Sequence, residues 1–224
     1  MVMPDQAPGN VSDPKTIAVL NATLMHVPFD GWGSAALAAG AVDAGVDPAL
    51  LDSLFPRGAV DAISLYSRVT DDEMVAAFNA LPEAPHKIHL AIRALILLRL
   101  ELAQQNKDAV RRALTVLALP AHARLSARLL YDTVDTMWRT VGQRDTGFSF
   151  YTKRATLAAV YSATVLAWLA DNSGSMDKTV DFLDRRLANV ASIPKTTAPL
   201  RGMAAAGERF ASAVLKNLGR RHAR

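Results

Sequence analysis

Apolar positions recur along this chain every three or four residues, the repeat of a helix with one buried face. Ile17, Leu20, Leu24 and Val27 set the pattern first and predict a helix over residues 13–27. Pro28, Gly31 and Gly33 break it, and a short apolar run then predicts a second helix over 34–44, closed by Gly45. Asp47-Pro48 suits the cap and first turn of a third helix, whose apolar face is Leu50, Leu51, Leu54 and Phe55. Two more helices are predicted over 58–68 and 72–81. The acids Asp71-Asp72-Glu73 read as the start of the second, where the helix dipole favours negative charge.

A proline-bounded break at 82–85 precedes a long helix over 86–104. Ile88, Ile92, Leu95, Leu98 and Leu102 form one stripe of it, and Leu90, Ile96, Leu97 and Leu100 make it apolar nearly all round, the mark of a central buried helix. Further helices are predicted over 108–119, 121–141, 151–170 and 177–190, and a last one over 199–218. No run alternates as a strand does, and no segment repeats. The pattern therefore predicts an all-α bundle in four parts: an unstructured start at 1–12, a front module at 13–82, a helical body at 83–192, and a linker with an amphipathic basic tail at 193–224.

Composition narrows this picture. Half the residues are hydrophobic but only 6% are aromatic, so Leu, Ala, Val and Ile must build the core. The chain has no cysteine, which excludes disulfides, thiolate zinc sites and cysteine nucleophiles. No window reaches the roughly 18 uncharged apolar residues of a membrane-spanning helix; the richest stretch, 89–103, is cut by Arg93, Arg99 and Glu101. The polar first residues lack a secretory pattern, and the expected location is the bacterial cytoplasm, peripheral at the inner membrane. The net charge of +4 is divided unevenly: residues 1–75 hold three basic and ten acidic residues, a balance of −7, and the rest carries +11.

The front module has the order helix, turn, short helix, with Ala44-Gly45-Val46 at the turn and Leu54-Phe55 after the second short helix. It resembles the helix-turn-helix of TetR-family regulators. DNA binding also needs cations to meet phosphates and polar side chains to read bases. The would-be recognition segment, Asp47-Pro48-Ala49-Leu50-Leu51-Asp52-Ser53-Leu54-Phe55, has no cation, no amide and two acids, so no nucleic acid is expected as a partner. Gly31-Trp32-Gly33-Ser34-Ala35-Ala36 fits a dinucleotide fingerprint, but it follows a helix where that motif follows a strand. His86 and His89 lie one helical turn apart without further ligands in the pattern. No cofactor, metal or catalytic constellation is read from the sequence.

The most informative stretch runs from Asp135-Thr136-Met137-Trp138 through Phe148-Ser149-Phe150-Tyr151-Thr152-Lys153-Arg154 to Trp168-Leu169-Ala170-Asp171-Asn172-Ser173 and Phe182-Leu183-Asp184-Arg185-Arg186-Leu187. With Val27-Pro28-Phe29-Asp30-Gly31-Trp32 and Leu54-Phe55-Pro56-Arg57-Gly58 at the front, it resembles the Coq-nine family over about residues 13–218. The chain departs from that family at Gln143, at Asp145-Thr146-Gly147-Phe148, and at Phe150-Tyr151, where a Trp-Tyr pair is common. The resemblance implies a TetR-like fold without DNA binding and a non-enzymatic accessory role in ubiquinone biosynthesis. It implies binding of isoprenoid quinone precursors or other lipids, their presentation to the di-iron demethoxyubiquinone hydroxylase, and a terminal amphipathic helix on the membrane.

Three groups of residues are expected to carry that role. Leu95, Leu98, Leu130, Val134, Val160, Thr164 and Trp168 are expected to line an apolar lipid cavity. Met203, Phe210, Val214 and Leu218 are expected to enter an anionic membrane surface while Arg209 and Lys216 face its headgroups. Met137, Trp138, Phe150, Tyr151 and Arg154 are expected to form the partner patch, since aromatic and arginine side chains anchor interfaces. A homodimer through the tail stays open, and the alternative function is a ligand-responsive TetR-type transcription regulator.

Overall fold

A computed structural model describes residues 13–142 and 148–192, without the side chains of 148–151 and 191–192. The described residues form helices α1 (Pro14–Asp30), α2 (Ser34–Asp43), α3 (Leu51–Leu54), α4 (Ala59–Asn79), α5 (Ile88–Leu102), α6 (Lys107–Leu117), α7 (Ala123–Thr140), α8 (Phe148–Ala170) and α9 (Asp177–Ser192), with no strand among them. The expected start at 1–12 and the tail at 193–224 lie outside the described residues. By contacts the chain divides into two units, Met1–Leu187 and Ala188–Arg224, and the packing described here belongs to the first.

Asp13 caps α1 by accepting from the Lys15 amide at 3.2 Å and the Thr16 hydroxyl at 2.8 Å, with Pro14 in the first turn. The helix runs three residues past its predicted end, because Pro28 in the last turn forfeits only one helical hydrogen bond. Arg112 of α6 donates to the Pro28 carbonyl at 2.6 Å, and Gly31, at φ 71°, turns the chain out by donating to Val27. Helices α1 and α2 then pack very closely. A Cβ on Gly40 would fall 2.2 Å from the Thr23 hydroxyl oxygen and 2.6 Å from the Thr23 amide nitrogen, so this crossing admits only glycine. Trp32, buried between the two, donates its indole N–H to the Ala109 carbonyl of α6 at 2.8 Å. Its glycine-flanked motif therefore packs a helix link onto the body.

Helix α4 corrects the expectation of two helices at 58–68 and 72–81. It is one helix of 21 residues, and the acids read as a second start lie inside it. Asp71 faces inward, 6% exposed, and pairs with Arg99 of α5 at 2.7 Å, while Asp72 and Glu73 face solvent. A buried partner, not a helix dipole, accounts for that carboxylate. Helix α5 is likewise less central than its all-round apolar pattern predicted: Ala91, Ile92, Leu95, Ile96 and Leu100 are buried, but Leu90 and Leu102 are exposed.

The buried apolar side chains gather in two clusters. One joins α1, α2 and the front half of α4 to α6 and the start of α7, around Val19, Leu20, Val27, Leu37 and Leu65. The other joins the rest of α4 to α5, α7, α8 and α9, around Met74, Leu95, Ile96, Met137, Trp168 and Leu183. Each fully buried Leu, Ile or Met contributes about 1.5–3 kcal/mol relative to an exposed one. The turn between α8 and α9 is fixed by Asp171, whose carboxylate accepts from the amide and hydroxyl of Ser173 at 3.0 and 2.6 Å. It also accepts from the amide and hydroxyl of Thr179 at 3.2 and 3.0 Å. These four donors hold the Asp171 carboxyl down at about 2.

Candidate functional site

Five helices leave a cavity of about 250 Å³ between them. Helix α6 gives it an apolar wall of Val110, Ala113, Leu114 and Leu117, and α7 adds Ser126, Leu129, Leu130 and Thr133. Helix α8 contributes Tyr161, Ser162, Val165 and Leu166, and α4 contributes Ile63, Tyr66 and Ser67. The room arises where small residues stand among large ones: Ala113, Ser126 and Ser162 come from three different helices. Leu166 is 63% exposed and also lines the space, so it marks the mouth.

One end of the cavity is polar. Arg99 of α5 donates through Nε to Asp71 at 2.7 Å, and through Nη2 to the Ser67 hydroxyl at 3.2 Å. Thr133 donates to the other oxygen of Asp71 at 2.9 Å. The Tyr161 ring lies under the guanidinium, 5.6 Å from centroid to carbon, a cation–π distance. Burial by itself disfavours the Arg99 charge, but the Asp71 carboxylate it pairs with outweighs burial, so the guanidinium is held charged. Burial raises the Asp71 carboxyl above its ordinary value, against the pull of Arg99. Burial also raises both tyrosines, Tyr66 and Tyr161. The Tyr66 hydroxyl is sealed without a hydrogen-bond partner, since neither Thr70 nor Asn106 beside it reaches bonding geometry. The arrangement suits an apolar body with one hydrogen-bonding end.

Of the seven residues expected to line a lipid cavity, Leu130 lies in this wall. Leu95, Val134, Val160 and Trp168 are buried in the second apolar cluster, and Leu98 packs against it. Thr164 is fully buried and donates to the Val160 carbonyl, and Trp168 donates to the Gln104 side chain at 2.7 Å. Sequence reasoning passed over Arg99, Asp71, Tyr66, Tyr161 and the α6 wall. The available signal was Arg99 itself, a cation in an apolar helix that must find a buried partner.

The expected partner patch divides. Met137 is fully buried. Arg154 is 7% exposed and pairs with Asp135 at 2.8 Å, and Arg139 meets the other oxygen of that carboxylate at 2.6 Å. Trp138 is half-buried with Lys153 over its ring at 5.9 Å. Phe150 and Tyr151 stand in the first turn of α8, with their side chains outside those described. Met203, Arg209, Phe210, Val214, Lys216 and Leu218 lie outside the described residues. Among those described, no group of three or more His, Asp or Glu could hold a metal, and no helix is long and apolar enough to cross a membrane.

The described residues form an all-helical bundle of TetR-like fold with an apolar cavity among its helices. The crystal structure of the TetR transcriptional regulator from Nitrosomonas europaea superposes with a TM-score of 0.62 at 20% identity, covering 80% of this chain and 99% of that one, a likeness of fold alone. The model of the COQ9 family matches residues 123–194. The human mitochondrial ubiquinone biosynthesis protein COQ9 is 30% identical over 211 residues, 89% of this chain and 66% of that one. Its rat counterpart is 30% identical over 89% of this chain and 67% of its own length. The fission yeast protein is 28% identical over 80% of this chain. This chain belongs to the COQ9 family, and it spans about two thirds of the length of those mammalian relatives.

One expectation is corrected here. The human, rat, fly and fission yeast relatives are named mitochondrial proteins, which contradicts a placement in the bacterial cytoplasm. That placement rested on reading no targeting segment in the first residues.

Proposed function

We propose that this chain is a non-enzymatic accessory protein of ubiquinone biosynthesis that binds isoprenoid quinone precursors and presents them at a membrane surface to the demethoxyubiquinone hydroxylase. The observation that carries the reading is the apolar cavity of about 250 Å³ with a single polar end, in a chain of the COQ9 family. A polyprenyl chain is costly to expose to water, at about 0.8 kcal/mol per CH₂ group, so moving it between membrane and enzyme needs an apolar shelter. In this account the cavity shelters part of the cargo, the tail around Phe210 and Leu218 holds the membrane, and the region of Phe150 and Tyr151 meets the hydroxylase. Mass spectrometry of an organic extract from gently purified protein tests it. Stoichiometric isoprenoid quinones or precursors support the reading; a protein carrying only bulk phospholipid overturns the quinone assignment.

The likeness to the Nitrosomonas regulator supports a second reading, a ligand-responsive transcription regulator. Against it, the exposed surface of the recognition segment presents Asp47, Asp52 and Leu50 and no cation. A DNA shift assay at low salt separates the two: salt-sensitive retardation would favour the regulator.

A further inference from the structure

The front module presents an apolar surface of its own. In α2, Ser34 and Asp43 at the two ends are the only polar side chains. A helix apolar all round is normally covered on every side. Here Ala36, Leu37, Gly40 and Ala41 are buried, while Ala35 and Val42 face solvent, Val42 at 64% exposure. Helix α1 does the same beside it. Its buried face centres on Val19, Leu20 and Val27. The opposite face recurs every three or four residues as Ala18, Ala22, Met25 and Phe29, with Met25 72% and Phe29 84% exposed.

The two stripes form one surface. His26 meets Asp43 at 2.7 Å across the seam between the helices. At about 100° per residue, His26 stands about a quarter turn from the α1 stripe, and Asp43 about a quarter turn from Val42 and the outer alanines. Both stripes therefore flank this bridge on its outer side. The relief is uneven: the large side chains Met25 and Phe29 stand beside a shallow floor of alanine on α2. One face of a further helix packs into such relief, and aromatic and methionine side chains are those that interfaces bury.

Charge decides which helix. Residues 14–54 carry Asp30, Asp43, Asp47 and Asp52, all exposed, against Lys15. Arg112 of α6 lies by the end of α1, where its Nη2 is spent on the Pro28 carbonyl at 2.6 Å. A second copy would bring the same acids to the same rim, and an anionic membrane would be repelled. A helix with an apolar face and basic flanks meets opposite charge at every edge.

We propose that the outer face of α1 and α2 docks a basic amphipathic helix of a partner protein, with Met25, Phe29 and Val42 against its apolar face and the aspartates against its cations. Fluorescence anisotropy tests this by titrating the full chain into a labelled amphipathic peptide of leucine and lysine about five turns long. A leucine–glutamate peptide of the same pattern is the control. The expected result is saturable binding of the lysine peptide, about tenfold weaker binding of the glutamate peptide, and about a tenfold loss for the lysine peptide in Met25→Ser/Phe29→Ser. Both side chains stand in solvent, so that variant should keep the native melting temperature. Asp30→Asn/Asp43→Asn should slow association more than it speeds dissociation. Lysine-peptide binding unchanged in the serine variant would reduce the effect to bulk charge and overturn the docking face. Equal binding of the two peptides, or binding of neither, would overturn the basic partner. Dimerisation in sedimentation equilibrium, or flotation with neutral phosphatidylcholine vesicles, that the serine variant abolishes would give the face to a second copy or to a membrane and overturn the proposal as well.

Discussion

Among the described residues, two largely buried arginine–aspartate pairs join helices, and they differ in what else they meet. Asp135 of α7 receives two guanidinium groups, Arg154 from α8 at 2.8 Å and Arg139 from its own helix at 2.6 Å. Asp71 of α4 receives one, Arg99 from α5, and a single threonine hydroxyl. The first is an over-supplied joint between two helices. The second is a joint just satisfied, and its arginine lines the cavity. The same chemistry joins helices in both places, with one carboxylate over-supplied and the other met once.

The largest effect expected from breaking this symmetry is at the lean pair. Asp71→Ala leaves Arg99 buried without a carboxylate and should cost about 3–5 kcal/mol in chemical denaturation. Arg154→Met at the other pair should cost less, about 1–3 kcal/mol, because Arg139 still meets Asp135. Equal losses would mean that the second arginine at Asp135 is decorative. Removing both members of the cavity pair, as Asp71→Leu/Arg99→Met, should leave stability within about 1 kcal/mol of the native chain.

The smallest effect compares Asp71 with a third aspartate and runs through pH. The Asp171 carboxyl is held below its ordinary 3.8, at about 2, so it contributes stability that is present above 3.8 and lost as pH falls through about 2. Asp71 has the opposite sign. Burial raises its carboxyl, so the folded chain binds that proton more tightly than the unfolded one, and stability falls as pH rises past 3.8 through the raised value. Asp171→Asn should therefore flatten the acid limb of a stability–pH curve between 3.8 and about 2. Asp71→Asn should remove a loss on its upper side. A curve unchanged by Asp171→Asn would show that the Ser173 and Thr179 donors do not bind the carboxylate as described.

The helices were legible because their periodicity is local: each apolar stripe reports its own burial. The continuity of α4 was not, because Asp71-Asp72-Glu73 has the composition of a helix start, and only Arg99, in another helix, explains the inward acid. The cavity was the least legible part. A stripe of Leu, Ala and Val reads the same whether its neighbours fill the space or leave it open. Leu130 borders the opening, whereas Val134, one helical turn on, is 1% exposed in the core. The opening depends on Ala113, Ser126 and Ser162 meeting across three helices, a coincidence of packing that no single stretch of sequence contains.

The most direct test of the cavity as a cargo site is photo-crosslinking with an alkyl-substituted quinone carrying a diazirine on its chain, followed by peptide mapping. The account predicts label on the α6, α7 and α8 peptides that hold Leu114, Leu130 and Leu166, competed away by unlabelled quinone and lost when Ala113→Trp fills the space. Label confined to other peptides, or undiminished in the filled variant, would contradict it.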